Sequence, residues 1–299
     1  MIWIVGKNGM LGREVVEQLE AEELEYCASD IEVDITDRRA IQEFVRDKSI
    51  DWIVNCAAYT AVDRAEEERE AAEWLNIEGP ANLAAAASSI GARIIHISTD
   101  YVFDGAGIPD KTGKLRPYRE DDPTVPTGVY GRTKAEGESA VLSTCSRSVI
   151  LRTSWLYGRH GPNFVFTMLR LMAERDTISV VADQKGSPTW AWDLARAIIA
   201  IVGAAKPAYG IYHYSNAGIC SWYDFARAIY RIGREEGLLE TECTIAPVTT
   251  EQYPTKAKRP AWSVLDKGKI IGEYGVAVPQ WEESLGRFLK GAGLNQLNF

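Results

Sequence analysis

The sequence predicts an α/β fold, a doubly wound parallel sheet with a smaller α/β lobe, on three observations. Short apolar runs alternate with stretches of helical periodicity, a glycine-rich turn closes the first run, and the alternation loosens in the second half. Ile2 to Val5 is the first strand, ended by Gly6, after which Met10-Leu11, Val15-Val16 and Leu19 recur at helical spacing. Tyr26 to Ser29 is a second strand, Ile41 to Val45 lies on a helix, and Trp52 to Ala57 is an apolar strand. The Ala-rich stretch Asn76 to Ser89 favours helix, and Arg93 to Ser98 is another buried strand. Residues 104–128 hold four Pro and four Gly, too long for an ordinary connection, and read as a loop near the site. A helix from Tyr130, a strand at Val149 to Thr153, a helix around Phe164 to Glu174 and a strand at Ile178 to Val181 follow. Trp190 to Val202 and Trp222 to Arg234 have the spacing of amphipathic helices, and the remainder is broken by prolines at 247, 254, 260 and 279.

Composition narrows the function. The chain has 299 residues, 46% of them apolar, ample for a packed core. Its 33 Lys and Arg against 42 Asp and Glu give a net charge of −9, the wrong sign for holding phosphate backbones, so nucleic acid is not an expected partner. Cys27, Cys56, Cys145, Cys220 and Cys243 are scattered without C-x-x-C spacing, which points away from disulfides and zinc and towards a reducing cytoplasm. The first residues reach Gly6 before any apolar run attains signal-peptide length, and no later stretch approaches a membrane span. His96, inside an apolar strand, reads as a hydrogen-bonded core residue, and His160 and His213 have no partner at metal-binding spacing. The acidic run Glu66 to Glu70 reads as a solvated helix face.

Gly6-Lys-Asn-Gly9-Met-Leu-Gly12 follows the first strand and opens the first helix, where glycines let the backbone approach a pyrophosphate at the positive end of the helix dipole. Asp30 ends the second strand and suits the 2′-hydroxyl of an adenosine ribose, which favours NAD, while Arg38 or Arg39 leaves NADP open. The G-x-x-G-x-x-G spacing resembles the extended short-chain dehydrogenase/reductase superfamily. Tyr130 and Lys134 stand four residues apart on one helical face. A lysine charge at ~4 Å in an effective dielectric of ~20 is worth about 4 kcal/mol, enough to bring a phenol of ordinary pKa ~10 towards neutrality as a proton donor. Thr99, at the carboxyl end of Arg93 to Ser98, is placed to hydrogen-bond a reacting carbonyl oxygen. The expected division is a Rossmann dinucleotide-binding domain over 1–155, rejoined by about 189–215, with 156–299 mainly a substrate-binding lobe.

Six stretches together resemble the dTDP-4-dehydrorhamnose reductase family: Asn55-Cys-Ala-Ala-Tyr-Thr-Ala-Val-Asp63, Ser98-Thr-Asp-Tyr-Val-Phe103, Val129-Tyr-Gly-Arg-Thr-Lys134, Arg152-Thr-Ser-Trp-Leu-Tyr157, Asp183-Gln-Lys-Gly-Ser-Pro-Thr189 and Tyr253-Pro-Thr-Lys-Ala-Lys-Arg-Pro260, with Ser263 and Leu265. The last two are the most particular to it. The resemblance implies reduction of a nucleotide-linked 4-keto-6-deoxy sugar by NADPH or NADH, with Thr99, Tyr130 and Lys134 as the catalytic trio. It implies a dinucleotide site from Gly6, Asn8, Gly9, Met10, Leu11, Gly12, Asp30, Asp34, Ile35, Ala57, Ala58, Tyr59, Tyr130 and Lys134. Thr99, Asp100, Tyr101, Trp155, Thr189 and Arg259 would meet the nucleotide sugar, Arg259 by paired hydrogen bonds to its diphosphate. Some relatives dimerise around Mg²⁺ held by glutamates; Glu14 matches one such position, but Trp192 stands where another glutamate would be, so no metal is expected and a homodimer stays open. The loop 104–128 is several residues longer than is usual in the family. Two rival readings are a nucleotide-sugar epimerase with tightly bound NAD⁺, which the late motifs disfavour, and a non-catalytic subunit of the kind that binds methionine adenosyltransferase, which the intact trio disfavours.

Overall fold

The computed structural model describes residues 1–291, so the last eight residues of the expected second lobe, 292–299, lie outside the described residues. Six parallel strands form the central sheet: β1 (Ile2–Val5), β2 (Tyr26–Ser29), β3 (Trp52–Asn55), β4 (Arg93–Thr99), β5 (Ser148–Thr153) and β6 (Gly210–His213), in the order β6-β5-β4-β3-β1-β2. The chain leaves β1 for β2 on one side and returns to β3 on the other, which opens a crevice above the carboxyl end of β1. Register lines the strand ends up there: Val5 lies opposite Ser29 and Asn55, Asn55 opposite His96, and Thr99 opposite Thr153.

Both faces of the sheet are covered, which is why its strands read as continuous apolar runs rather than alternating ones. Helices α1 (Met10–Ala21) and α5 (Ala191–Val202) pack on one face around Ile4, Val15, Leu19, Val54, Leu151, Leu194 and Ile198. Helices α2 (Arg38–Val45), α3 (Gly79–Ile90) and α4 (Val129–Thr144) cover the other, around Trp3, Ile53, Leu83, Ile94, Val141 and Ile150. Neighbours such as Trp3 and Ile4 enter opposite cores because successive strand side chains alternate. A separate core gathers Leu169, Phe225, Ile229 and Phe288 from the helices Phe164–Glu174, Trp222–Glu235 and Trp281–Gly291. Beside it Thr177–Val181 pairs in parallel with Thr244–Val248.

The structure departs from the sequence reading in four places. The strand expected to Ala57 stops at Asn55, whose side-chain oxygen accepts the Ala57 N–H and turns the chain out of the sheet. The helix expected from Asn76 starts as a π-helical turn over Trp74–Glu78, because the Asn76 amide is committed to both backbone groups of Tyr59. The long loop contains a small hairpin of Ile108–Pro109 with Leu115–Arg116 and stacks Tyr118 on Phe103 at 4.2 Å. It docks on the 262–266 segment and gives no residue to the cavity described below. Helices Gly268–Tyr274 and Trp281–Gly291 form in the stretch read as proline-broken, since Pro279 falls just ahead of the second.

Candidate active site

A cavity of about 580 Å³ opens over the carboxyl edge of the sheet, walled by Gly6, Gly9, Met10, Leu11, Asp30, Ala57 and Ala58 at one end. Thr99, Asp100, Tyr101, Tyr130, Lys134 and Trp155 wall the other. The glycine turn leaves no room for side chains. Gly6 holds φ at +80°, and a Cβ there would come within 2.8 Å of the Ala57 nitrogen. A Cβ on Gly12 would sit 2.1 Å from the Gly6 carbonyl oxygen. Helix α1 begins with neither a side-chain cap nor an acidic residue in its first turn, so its N–H groups stay open to a phosphate. These features fit a dinucleotide pyrophosphate.

Asp30 ties the turn to the end of β2, accepting from the Asn8 N–H at 2.8 Å and the Ile31 N–H at 3.0 Å. Ile31 lies on the cavity wall 93% exposed, an apolar side chain left in water, and sequence reasoning missed it. Cys56, Thr60, Val62 and Leu75 were also missed; their signal, had it been read, is position just after β3 and on the π-helical turn. Among the expected dinucleotide residues, Asn8, Gly12, Asp34, Ile35 and Tyr59 stand behind the wall. Asp34 accepts from Thr36, Ile35 packs on Gly79, and Tyr59 donates its hydroxyl to Glu68. Arg38, a candidate for NADP, is turned away to Asn82.

Tyr130 and Lys134 both reach the cavity from α4. Part of the acidic run expected as a solvated face holds this helix in place: Glu66 accepts the Val129 N–H at 2.8 Å. The lysine does not touch the phenol. Lys134 Nζ donates to the Ile97 carbonyl at 2.6 Å and lies 3.3 Å from His96 Nε2, and burial lowers its pKa to about 8. Burial likewise pushes the Tyr130 phenol above its usual value, with the Thr99 hydroxyl pulling the other way. The expected acidification by Lys134 is therefore not provided by this arrangement, in which Nζ is turned to β4 and desolvation of the phenol prevails.

Thr99 caps the turn after β4 and gives its hydroxyl proton to Asp100 Oδ1 at 2.9 Å. Asp100 Oδ2 is buried without a partner, and burial raises this carboxyl from 3.8 to about 7. The folded state keeps a proton that the unfolded chain releases, so stability falls as pH rises through about 4 to 7. Asp100→Asn is expected to gain up to about 4 kcal/mol relative to the parent across that window and nothing below it. Thermal unfolding of both proteins over the acid range checks this.

Trp155 has φ +48° and stacks face to face on Trp222 at 3.6 Å, forming an aromatic wall. Gly186 lies behind it, where a Cβ would meet Trp155 Cε2 at 2.5 Å. That contact accounts for glycine in Asp183-Gln-Lys-Gly-Ser-Pro-Thr189. The structure does not bring Thr189 to the cavity: it is fully buried and pairs with Leu156. Arg259 stands outside the wall, paired with Asp63 and donating to the Tyr101 hydroxyl at 3.2 Å. Among the described residues no group of three His, Cys, Asp or Glu side chains could hold a metal ion, and no helix is long and apolar enough to cross a membrane.

The family model of the RmlD substrate binding domain matches residues 1–293. The dTDP-4-dehydrorhamnose reductase of Aggregatibacter actinomycetemcomitans is 42% identical over 94% of this chain and 96% of its own. A crystal structure of the dTDP-4-dehydrorhamnose reductase of Clostridium acetobutylicum superposes with a TM-score of 0.88 at 42% identity, over 96% of this chain and 98% of that one. The Bacillus anthracis dTDP-4-dehydrorhamnose reductase, solved in complex with NADP, gives a TM-score of 0.87 at 40% identity, over 96% and 97% of the two chains.

Proposed function

The chain belongs to the RmlD substrate binding domain family, and we infer from that premise that it reduces dTDP-4-dehydro-L-rhamnose to dTDP-L-rhamnose with NADPH or NADH. The observation that carries this reading is one cavity holding both a glycine cradle and the group Thr99, Tyr130 and Lys134. Gly6, Gly9 and the start of α1 would hold the pyrophosphate, Asp30 the adenosine ribose, and Ile31 would cover the adenine. When bound, the reduced nicotinamide supplies the hydride that the sugar C4 accepts. Thr99 turns its single hydroxyl proton from Asp100 Oδ1 to the ketone oxygen and so orients it, Tyr130 gives its phenolic proton to that oxygen as it becomes an alkoxide, and Lys134 stabilises the phenolate left behind.

The sheet with its returning segments would carry the dinucleotide, and residues 156 onward most of the nucleotide-sugar contacts. Trp155 would flank the sugar, and Arg259 would leave Asp63 for the diphosphate. Gly186→Ala is expected to displace Trp155 and raise KM for the nucleotide sugar about 10-fold, with kcat changed less than about 2-fold. Steady-state kinetics with varied sugar nucleotide measure both. A cytoplasmic homodimer is the proposed assembly, which light scattering reads directly. The overall test supplies dTDP-4-dehydro-L-rhamnose with NADPH or NADH to the purified protein and follows nicotinamide absorbance. Loss of that absorbance supports the reading, and no oxidation of either coenzyme would refute it.

A further inference from the structure

Behind the cavity, Asn55, His96 and Lys134 form a fully buried chain of side chains. Asn55 Oδ1 accepts the Ala57 N–H at 3.0 Å, so its amide nitrogen is the group facing His96 Nδ1, also at 3.0 Å. An amide N–H₂ only donates there, which makes Nδ1 an acceptor and leaves the single proton of a neutral imidazole on Nε2. That Nε2–H points at Lys134 Nζ, 3.3 Å away. An ammonium has no lone pair to receive it, whereas a neutral amine accepts from His96 and still donates to the Ile97 carbonyl at 2.6 Å. We propose that Asn55 and His96 are positioning residues that bias Lys134 towards the neutral amine, so that the lysine takes up its ammonium proton from solvent when a bound ligand draws Nζ off this chain.

The groups around Nζ agree with that bias. Burial holds His96 itself well below its usual range, so it is neutral and carries one proton. On α4, Glu138 is the group that favours the ammonium, but its carboxylate is shared between Arg152 of β5, at 2.9 and 2.7 Å, and Ser98 of β4. Tyr130 on the same helix and Asp100 after β4 share the cavity wall, and burial favours the neutral form of each. Cys56, after β3, is pushed up to about 12. No unshared anion faces Nζ from any of these elements.

The inference rests on the reductase reading for its consequence but not for its test. The chain has three histidines, so nitrogen NMR of histidine-labelled, ligand-free protein resolves each ring, with His96 assigned by its loss in His96→Gln. At mildly alkaline pH the His96 proton is expected on Nε2; a proton on Nδ1 overturns the proposal. Asn55→Asp supplies an acceptor to Nδ1, which moves the ring proton there and frees Nε2 to accept from the ammonium. In that variant the alkaline limb of kcat/KM for the dinucleotide, which reports the free enzyme, is expected to rise by about one pH unit. His96→Gln, whose amide can turn its oxygen to Nζ, shifts the limb the same way and serves if Asn55→Asp fails to fold. A limb that stays put while the NMR tautomer switches overturns the proposal, as would a lower melting temperature with no shift in either variant. A wild-type protein that oxidises neither coenzyme would sink the reductase reading while leaving the tautomer measurement intact.

Discussion

Tyr130→Phe is expected to lower kcat by about 10²–10⁴-fold, the range that one positioned proton donor contributes. The variant deletes a single oxygen atom. The ring still meets Tyr101 edge-on at 5.5 Å, and Val129 and Val141 of the same helix stay in their cores, so the fold and melting temperature should be unaffected. Kinetics at saturating NADPH with matched thermal melts separate lost chemistry from lost structure. Burial holds the phenol above its usual value, so the reaction requires an acidifying charge to be brought to it. An undiminished rate would transfer the proton-donor role elsewhere, with Asp100, whose pKa stands at about 7, the adjacent group to examine.

Glu138→Ala is expected to destabilise the protein by about 3–5 kcal/mol, because it leaves the Arg152 guanidinium as an uncompensated buried charge. The pair is two-pronged, at 2.9 and 2.7 Å, and the side chains are 4% and 2% exposed. Among the described residues, Arg152 has the Phe103 ring and the neutral His213 as further company, neither of which replaces a carboxylate. The midpoint of urea unfolding measures the loss. Replacing both partners, as Glu138→Leu with Arg152→Met, should recover most of it, since an apolar pair no longer bears the desolvation of two charges. If the single and double variants lose equally, volume rather than charge is what this site requires.

The sheet was legible because its strands are buried on both faces and its helices on one, and these two periods are written in the chain itself. The glycine turn was legible for the same local reason: a strand ending in Gly6 and a helix starting at Met10 define an anion site before any tertiary contact is known. Tyr130 and Lys134 were legible as a pair on one helix face. Their electrostatics were not, because the lysine's partners Ile97 and His96 lie on β4, 37 and 38 residues earlier in sequence, and His96 is itself met by Asn55 of β3. Ile31 carried no periodic signal, and Thr189, singled out by its motif, is buried opposite Leu156 and off the cavity wall.

Taken alone, the chain determined its alternation of elements, its phosphate-binding turn and the side chains able to do carbonyl chemistry, all of which depend on local spacing. Tertiary structure alone decided that Lys134 faces His96 rather than Tyr130, that Arg259 is held by Asp63 outside the cavity, and that Trp155 rests on Trp222 with Gly186 behind it. Such choices are made where distant segments bury polar groups together, because there each donor must find whichever acceptor the packing brings within reach.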